Sequence, residues 1–510
     1  MRTLVLALAM AAVVAGFAFG SAQSETAAQP QKQVTLKYLV YEHPNYPVND
    51  DTPILAEVLK RTGIRVEWVP VPDAGYSEKL NLILASGDLP DLVSMRIELI
   101  NEYSQKGAFV PLEDLIDKYA PSLRKVLTPA VKIVVINIDK KIYGLPLINE
   151  WRRDRGAVLV RADYLKKLGL KEPDNVADLE SMLRAFKASD VDGNGKQDTI
   201  PWVFQPSATY FVKEIMSPSF GMHFTDWTEV NGKLTYKYTM PEYKELLSWL
   251  AKLYKDGLID KEYALLSAKQ WEERVSAGIA AATTAYIGRT DYFNQMVQKT
   301  NPQFDLVALT PLAGPGGKRG AGANPVVNKG YCAAISKNCT DPESAIRLLD
   351  FVYSAEGTEL FSWGIEGITY VVKDGKKQYS DEILNEPLNY AIQAKYGIIQ
   401  LGLPRMYLQN DQELTIGPGT REGIRRARPH YMEPLPTLTF TKEEQQKVTE
   451  ITAAISPVIN KYTDQAIMGE VPVSDFDPLQ EQLKKLGIDT FIKIYNDAYG
   501  RYRELLASIK

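Results

Sequence analysis

Asp190, Asp192, Asn194 and Asp198 stand at positions 1, 3, 5 and 9 of the stretch Asp190-Val-Asp-Gly-Asn-Gly-Lys-Gln-Asp-Thr-Ile-Pro201. Oxygen-bearing side chains at alternate positions turn toward a common centre and suit a hard cation such as Ca2+. Gly195, at position 6, permits the sharp bend such loops need, and Lys196, at position 7, can offer its backbone carbonyl. A calcium-sensing loop closes with a bidentate Glu at position 12, and here that place is Pro201. The pattern therefore predicts a structural Ca2+ held by loop 190–201 rather than a sensor. An acidic Asx/Gly turn without an ion is the plain alternative.

Two kinds of element must carry this loop. An amphipathic helix from Val176 to Lys187 delivers the chain into it, and Val158-Leu-Val160 reads as a nearby strand. Upstream, Val34 to Val40 suits a buried strand. Thr52-Pro53 supplies an N-cap and a first-turn proline for a helix that Gly63 stops. Ile64, Val66 and Trp68 alternate with Arg65 and Glu67 as a half-buried strand, a helix runs from about Tyr76 to Ser86, and Asp91 to Ser94 is a third strand. Strand and helix alternating in this way predict a doubly wound α/β unit. Further helices are expected from Pro241 to Lys255 and from Asp341-Pro342 onward. The tail from Lys442 is helix-rich, with a break near Gly469 to Asp477. Gly314 to Gly322 is the most linker-like segment.

At 510 residues the chain is too long for one core, and two to four lobes are expected. A net charge of −4 and no long basic block give no reason to expect nucleic acid as a partner. Twenty-eight Tyr and seven Trp supply many flat, amphipathic faces. Arg2, the apolar run Leu4 to Phe19 and the small residues Gly20-Ser-Ala22 read as a signal peptide, residues 1–22, followed by a disordered linker at 23–33. The run is short for a membrane span, and no Cys near the cut offers lipid attachment. Cys332 and Cys339 are the two cysteines, too few for a disulfide framework. If the residues between them stay extended, their α-carbons are too far apart to bridge. Three scattered His residues give no zinc spacing.

Several ordered segments together resemble the family-1 extracellular solute-binding proteins of ABC sugar importers, with alginate-oligosaccharide-binding proteins as the similar branch. They include Glu78 to Val93, Lys141-Ile-Tyr-Gly-Leu-Pro146, Val160 to Leu170, Ala185 to Pro201 and Leu253 to Asp260. Tyr353 to Gly357, Gly364 to Tyr370, Leu486 to Asp489 and Ile494 to Tyr499 continue the set. The resemblance implies an α/β, two-lobed periplasmic-binding-protein fold of type II kind, with a ligand cleft between lobes and a structural calcium. It implies a substrate-binding component that captures a sugar or oligosaccharide by hinge closure and hands it to inner-membrane permease subunits. Lobe 1 is expected to combine 34–150 with 318–365, and lobe 2 to combine 151–317 with 366–510. Thr199 stands where relatives often have an acidic residue, which predicts weaker calcium binding. The missing lipid-attachment Cys predicts a freely diffusing periplasmic protein, and a monomer is expected.

A sugar cleft needs aromatic platforms and planar hydrogen-bonding groups. Loops at strand ends offer Tyr41, Glu42 and Tyr76, and Arg96 follows the third strand. Trp151 and Arg153 lie at the expected lobe crossing, Trp202 follows the calcium loop, Tyr286 and Arg289 flank a turn, and Trp363 and Tyr370 lie near another crossing. Trp68 and Trp249 fit apolar faces and read as core. Arg152, Arg153, Arg289 and Arg405 would suit acidic sugars but also bond neutral ones, so sugar identity stays open. Two other functions fit the same composition: a calcium-dependent polysaccharide-active enzyme, for which no nucleophile elbow, zinc helix or phosphate loop is found, and a binding protein for a non-sugar ligand such as a peptide, or a sensor-linked receptor.

Overall fold

The computed structural model describes residues 34–43, 47–72, 75–150, 155–205, 208–384, 391–398, 403–408, 416–436, 438–474 and 476–509. The expected signal peptide and linker, Trp151 and Arg153 lie outside these residues.

A mixed five-stranded sheet forms the first half, in the order Ile64–Pro72, Val34–Glu42, Leu92–Met95, Val327–Ile335, Leu145–Ile148. The first three strands are parallel, and Val327–Ile335 runs antiparallel to both of its neighbours. Leu92–Met95 is buried at every residue, as expected of a strand covered on both faces. The local signals upstream act as written: Thr52 Oγ1 accepts from Leu55 N at 3.3 Å, and Gly63, at φ 72°, ends the helix Pro53–Thr62.

The second half is built on a four-stranded sheet ordered Leu306–Ala308, Gly156–Arg161, Ala280–Tyr286, Ile200–Phe204. Alternate side chains divide between two cores. Val158, Val160, Trp202 and Phe204 face the long helices Pro241–Lys255 and Lys442–Met468, while Leu159, Val203 and Ala285 pack with Trp271 and Phe293. Leu306–Ala308 and Ala280–Tyr286 are strands that the sequence reading missed. The latter, Ala-Ala-Ala-Thr-Thr-Ala-Tyr, has little of the large β-branched signature, because helices pack closely on both its faces.

The chain passes between these halves between Ile148 and Gly156, again between Gly322 and Val327, and once more between Tyr407 and Ile416. One boundary differs from the expectation. Tyr370, Tyr379, Ile383, Ile392, Tyr396 and Leu403 belong to the first core, so these residues pack with the first sheet rather than the second. They carry no mark of which sheet they will cover.

Gly314 to Gly322 is not a loose linker either. A Cβ on Gly314 would collide with the Ser219 carbonyl, and Ala321 pairs with Tyr431. Gly314 thus allows close approach of two backbones. Cys332 and Cys339 are both free and buried. Among the described residues no helix is long and apolar enough to cross a membrane.

Candidate functional site

The carboxyl ends of the parallel strands in the first sheet gather an aromatic group. Tyr41, near the end of Val34–Glu42, stands edge-on to Tyr76, with ring centres 5.3 Å apart. Tyr331 lies 6.3 Å from Tyr41, and His43 lies 6.5 Å from it. Partial burial, helped by Tyr331, pushes the Tyr76 hydroxyl up to about 12, so it keeps its proton as a hydrogen-bond donor. Glu42 accepts from Val48 N at 3.3 Å and fixes the loop behind this group. Arg96 is exposed at the same edge, 3.6 Å from Glu98, and Glu98 also pairs with Lys329 at 3.1 Å. Tyr331 and Lys329 were missed. They enter from a strand late in the chain, and only the antiparallel pairing of Cys332 with Met95 brings them here.

Tyr286 ends its strand opposite Gly156 and is 49% exposed, the accessibility a sugar platform requires. Arg289 opens the helix Arg289–Val297 and is held by its own half: Nη1 donates to Glu272 Oε1 at 3.1 Å, and its guanidinium lies over Tyr292 and Trp271.

Three nominated residues do other work. Trp202 is fully buried, edge-on to Phe204 at 5.0 Å and to Trp249 at 6.0 Å, because its strand turns that face into the core. Trp363 stacks on Tyr379 at 4.5 Å, and Tyr370 is buried beside it. Burial and Glu366 raise the Tyr370 hydroxyl while Arg61 opposes them. Arg61 lies just before Ile64, at the amino end of the parallel strands, so this group lies by the edge opposite Tyr41 and Tyr76.

A cleft of about 810 Å³ separates the halves. Val131, Ile148 and Lys329 line it from the first half; Arg155, Phe224 and Tyr502 line it from the second. Its size and mostly apolar wall with a few charged groups suit a small ligand.

In the acidic loop, Asp190 Oδ1 accepts from Gly193 N at 2.8 Å and Oδ2 from Gly195 N at 2.9 Å, which wraps the backbone around that carboxylate. The Asn194 amide donates to Asp192 Oδ2 at 2.9 Å and to Asp198 Oδ1 at 3.0 Å, while its oxygen accepts from Lys196 N. Partial burial, with the charges of Asp198 and Asp190, holds the Asp192 carboxyl above its ordinary value. Among the described residues no three His, Cys, Asp or Glu side chains stand together as a ready metal-ligand group.

Residues 54–379 match the family model for bacterial extracellular solute-binding proteins. The chain belongs to that family. It is 26% identical over 510 residues to the fructooligosaccharide ABC transporter substrate-binding protein FusA of Streptococcus pneumoniae serotype 4, covering 93% of this chain and 91% of FusA. The polygalacturonan/rhamnogalacturonan-binding protein YtcQ of Bacillus subtilis is 27% identical, with 97% of each chain covered. Among solved structures, alginate-binding protein AlgQ2 without calcium ion superposes with a TM-score of 0.74 at 26% identity, over 92% of this chain and 98% of AlgQ2. A FusA EF-hand mutant in complex with fructo-nystose superposes with a TM-score of 0.72 at 23% identity, over 92% and 99%. The two mixed sheets are thus the fold of solute-binding proteins, and the chain is a binding protein rather than an enzyme.

Proposed function

We propose that this solute-binding protein is the substrate-binding component of an ABC transporter, and that it captures an oligosaccharide between two hinged lobes in the periplasm for delivery to permease subunits. The observation that carries the reading is the pair of separately cored sheets joined by three crossings, with a cleft between them. One lobe comprises the described residues of 34–148 and 327–408, and the other those of 156–322 and 416–509. Only a closed form touches the ligand from both lobes, so binding shifts the population toward closure. FusA, YtcQ and AlgQ2, named for fructooligosaccharide, polygalacturonan/rhamnogalacturonan and alginate ligands, support a saccharide.

Tyr41 and Tyr76 on the first lobe and Tyr286 on the second, which lie outside the residues lining the cleft, are proposed to extend the binding surface as stacking faces. A thermal-shift screen of oligosaccharides and peptides tests the ligand class, since a ligand of the folded state alone raises Tm. With the saccharide found, Tyr41→Ala is expected to weaken it on the order of 10-fold by calorimetry, from lost stacking and buried area. Affinity unchanged in both Tyr41→Ala and Tyr76→Ala would remove this edge from the site.

The loop 190–201 is proposed to hold a structural Ca2+ through Asp190, Asp192, Asn194, Asp198 and the Lys196 carbonyl. The donor chemistry suits a hard cation: the three carboxylates do not already stand as a ligand group, but Asp192 and Asp198 both reach the Asn194 amide, and a half-turn of that amide replaces its nitrogen by an oxygen facing them. When bound, the ion would offset the charge of these carboxylates and tie the helix Val176–Lys187 to the strand Ile200–Phe204. Calcium at a hundredfold excess over its Kd is expected to stabilise the fold by about 2.7 kcal/mol. EDTA should then lower Tm, and Asp190→Ala should abolish the response; a chelator-insensitive Tm leaves a plain Asx turn.

A further inference from the structure

Beside the cleft lies a second cavity, of about 470 Å³, whose wall carries Arg155, Lys213, Glu214, Asp226, Lys237 and Tyr238. Arg155, Phe224 and Thr225 line both spaces, so this chamber adjoins the cleft. Lys213 is 6% exposed and Lys237 only 1%. Among the described residues neither ammonium forms an ion pair. Lys213 Nζ donates to Asn460 Oδ1 at 3.3 Å and stands 5.3 Å from the Tyr238 ring centre. Lys237 makes no side-chain hydrogen bond among those residues, and the nearby charge of Lys213 repels it.

The carboxylates of the wall are otherwise engaged. Glu214 grips the Arg155 guanidinium, with Oε2 2.9 Å from Nη2, and Asp226 Oδ1 accepts from the Tyr238 hydroxyl at 2.6 Å. Asp226 attracts both lysines through space, and Glu214 attracts Lys237 as well. Asp464 acts on Lys213 from outside the wall, where the Tyr263 hydroxyl donates to it at 3.2 Å. Three cations therefore face two carboxylates around the chamber. Burying an ammonium without a close counter-charge is costly, and burial accordingly pulls both lysines down to about 8. An anion in the chamber would complete the set.

We propose that the chamber receives the carboxylate of an acidic sugar, a uronate unit of the oligosaccharide in the adjoining cleft, with Lys237 and Lys213 as its charge partners. The assignment rests on the reading of the protein as an oligosaccharide binder. A sugar suits the space better than a bare ion because Phe224, Tyr236 and Tyr238 add flat faces for C–H contact beside the charges.

The test is calorimetry on the full mature chain with oligomers of galacturonate, mannuronate and glucuronate, each beside its methyl ester. At least one free acid should bind about 10- to 100-fold more tightly than its ester, as loss of a charge-assisted bond implies. Lys237→Met and Lys213→Met should weaken the acid by a similar factor and leave the ester alone. An ester binding as tightly as its acid overturns the proposal, and that comparison needs no variant to fold. So does an acid-to-ester ratio that survives both substitutions. Acetate or sulfate raising Tm in the wild type as much as the acids, and not in Lys237→Met, would assign the chamber to a free anion and overturn the sugar. Tight binding of neutral oligosaccharides alone overturns the uronate and leaves the parent reading standing, whereas no saccharide binding at all sinks the parent reading itself.

Discussion

Replacing Trp202 by alanine is expected to destabilise the protein by about 3–5 kcal/mol, the cost of emptying a large core position. The indole is fully buried between Phe204, Trp249 and the helix Pro241–Lys255, and Trp202 O accepts from Asp260 N at 3.0 Å. A lower urea midpoint at unchanged m is the expected reading. Trp202→Phe should cost less than its lost volume suggests. The indole Nε1 has no hydrogen-bond partner among the described residues, so removing it relieves about 1–3 kcal/mol of desolvation. Should Trp202→Ala instead leave the midpoint alone and abolish saccharide binding, the residue would be a cleft platform after all.

Trp202 shows where local reading stops. Its position after the acidic loop suggested a strand-end platform, but a strand alternates its faces, and register decides which one meets solvent. Register depends on the neighbour Ala280–Tyr286, eighty residues on, whose alanines gave no strand signal. Where a signal is short-range, sequence and structure agree: Thr52 caps the helix Pro53–Thr62 through Leu55 N, and Asp341 accepts from Ser344 N at 3.0 Å. Tyr41 and Tyr76 were legible because strand ends and helix starts of a doubly wound sheet share one edge. Tyr331 was not, since it arrives antiparallel from another part of the chain. Lys213 and Lys237 were hidden for a simpler reason. A lysine in a sequence reads as surface, and only packing reveals one that is buried.

Glu214→Ala is expected to cost about 1.5–3 kcal/mol, because it removes charge-assisted hydrogen bonds from a buried carboxylate to the half-buried Arg155 guanidinium. Glu214 is 4% exposed and holds Arg155 through both oxygens. Arg155 sits at the first crossing, donates to Asn324 Oδ1 at 3.2 Å on the returning one, and lies over the Phe224 ring at 5.4 Å. One carboxylate on the helix Ala208–Met216 thus secures two of the three connections between the sheets. Glu214→Gln keeps the shape and some hydrogen bonding but not the charge, so it should fall between wild type and alanine. Arg155→Met combined with Glu214→Leu removes both charges together and should be far milder than the two single changes summed. A double-mutant cycle by urea denaturation then gives a coupling of about 2 kcal/mol or more, toward the upper range for residues in contact. Additive effects would mean that each side chain acts alone, and that the crossings are held by backbone and apolar packing.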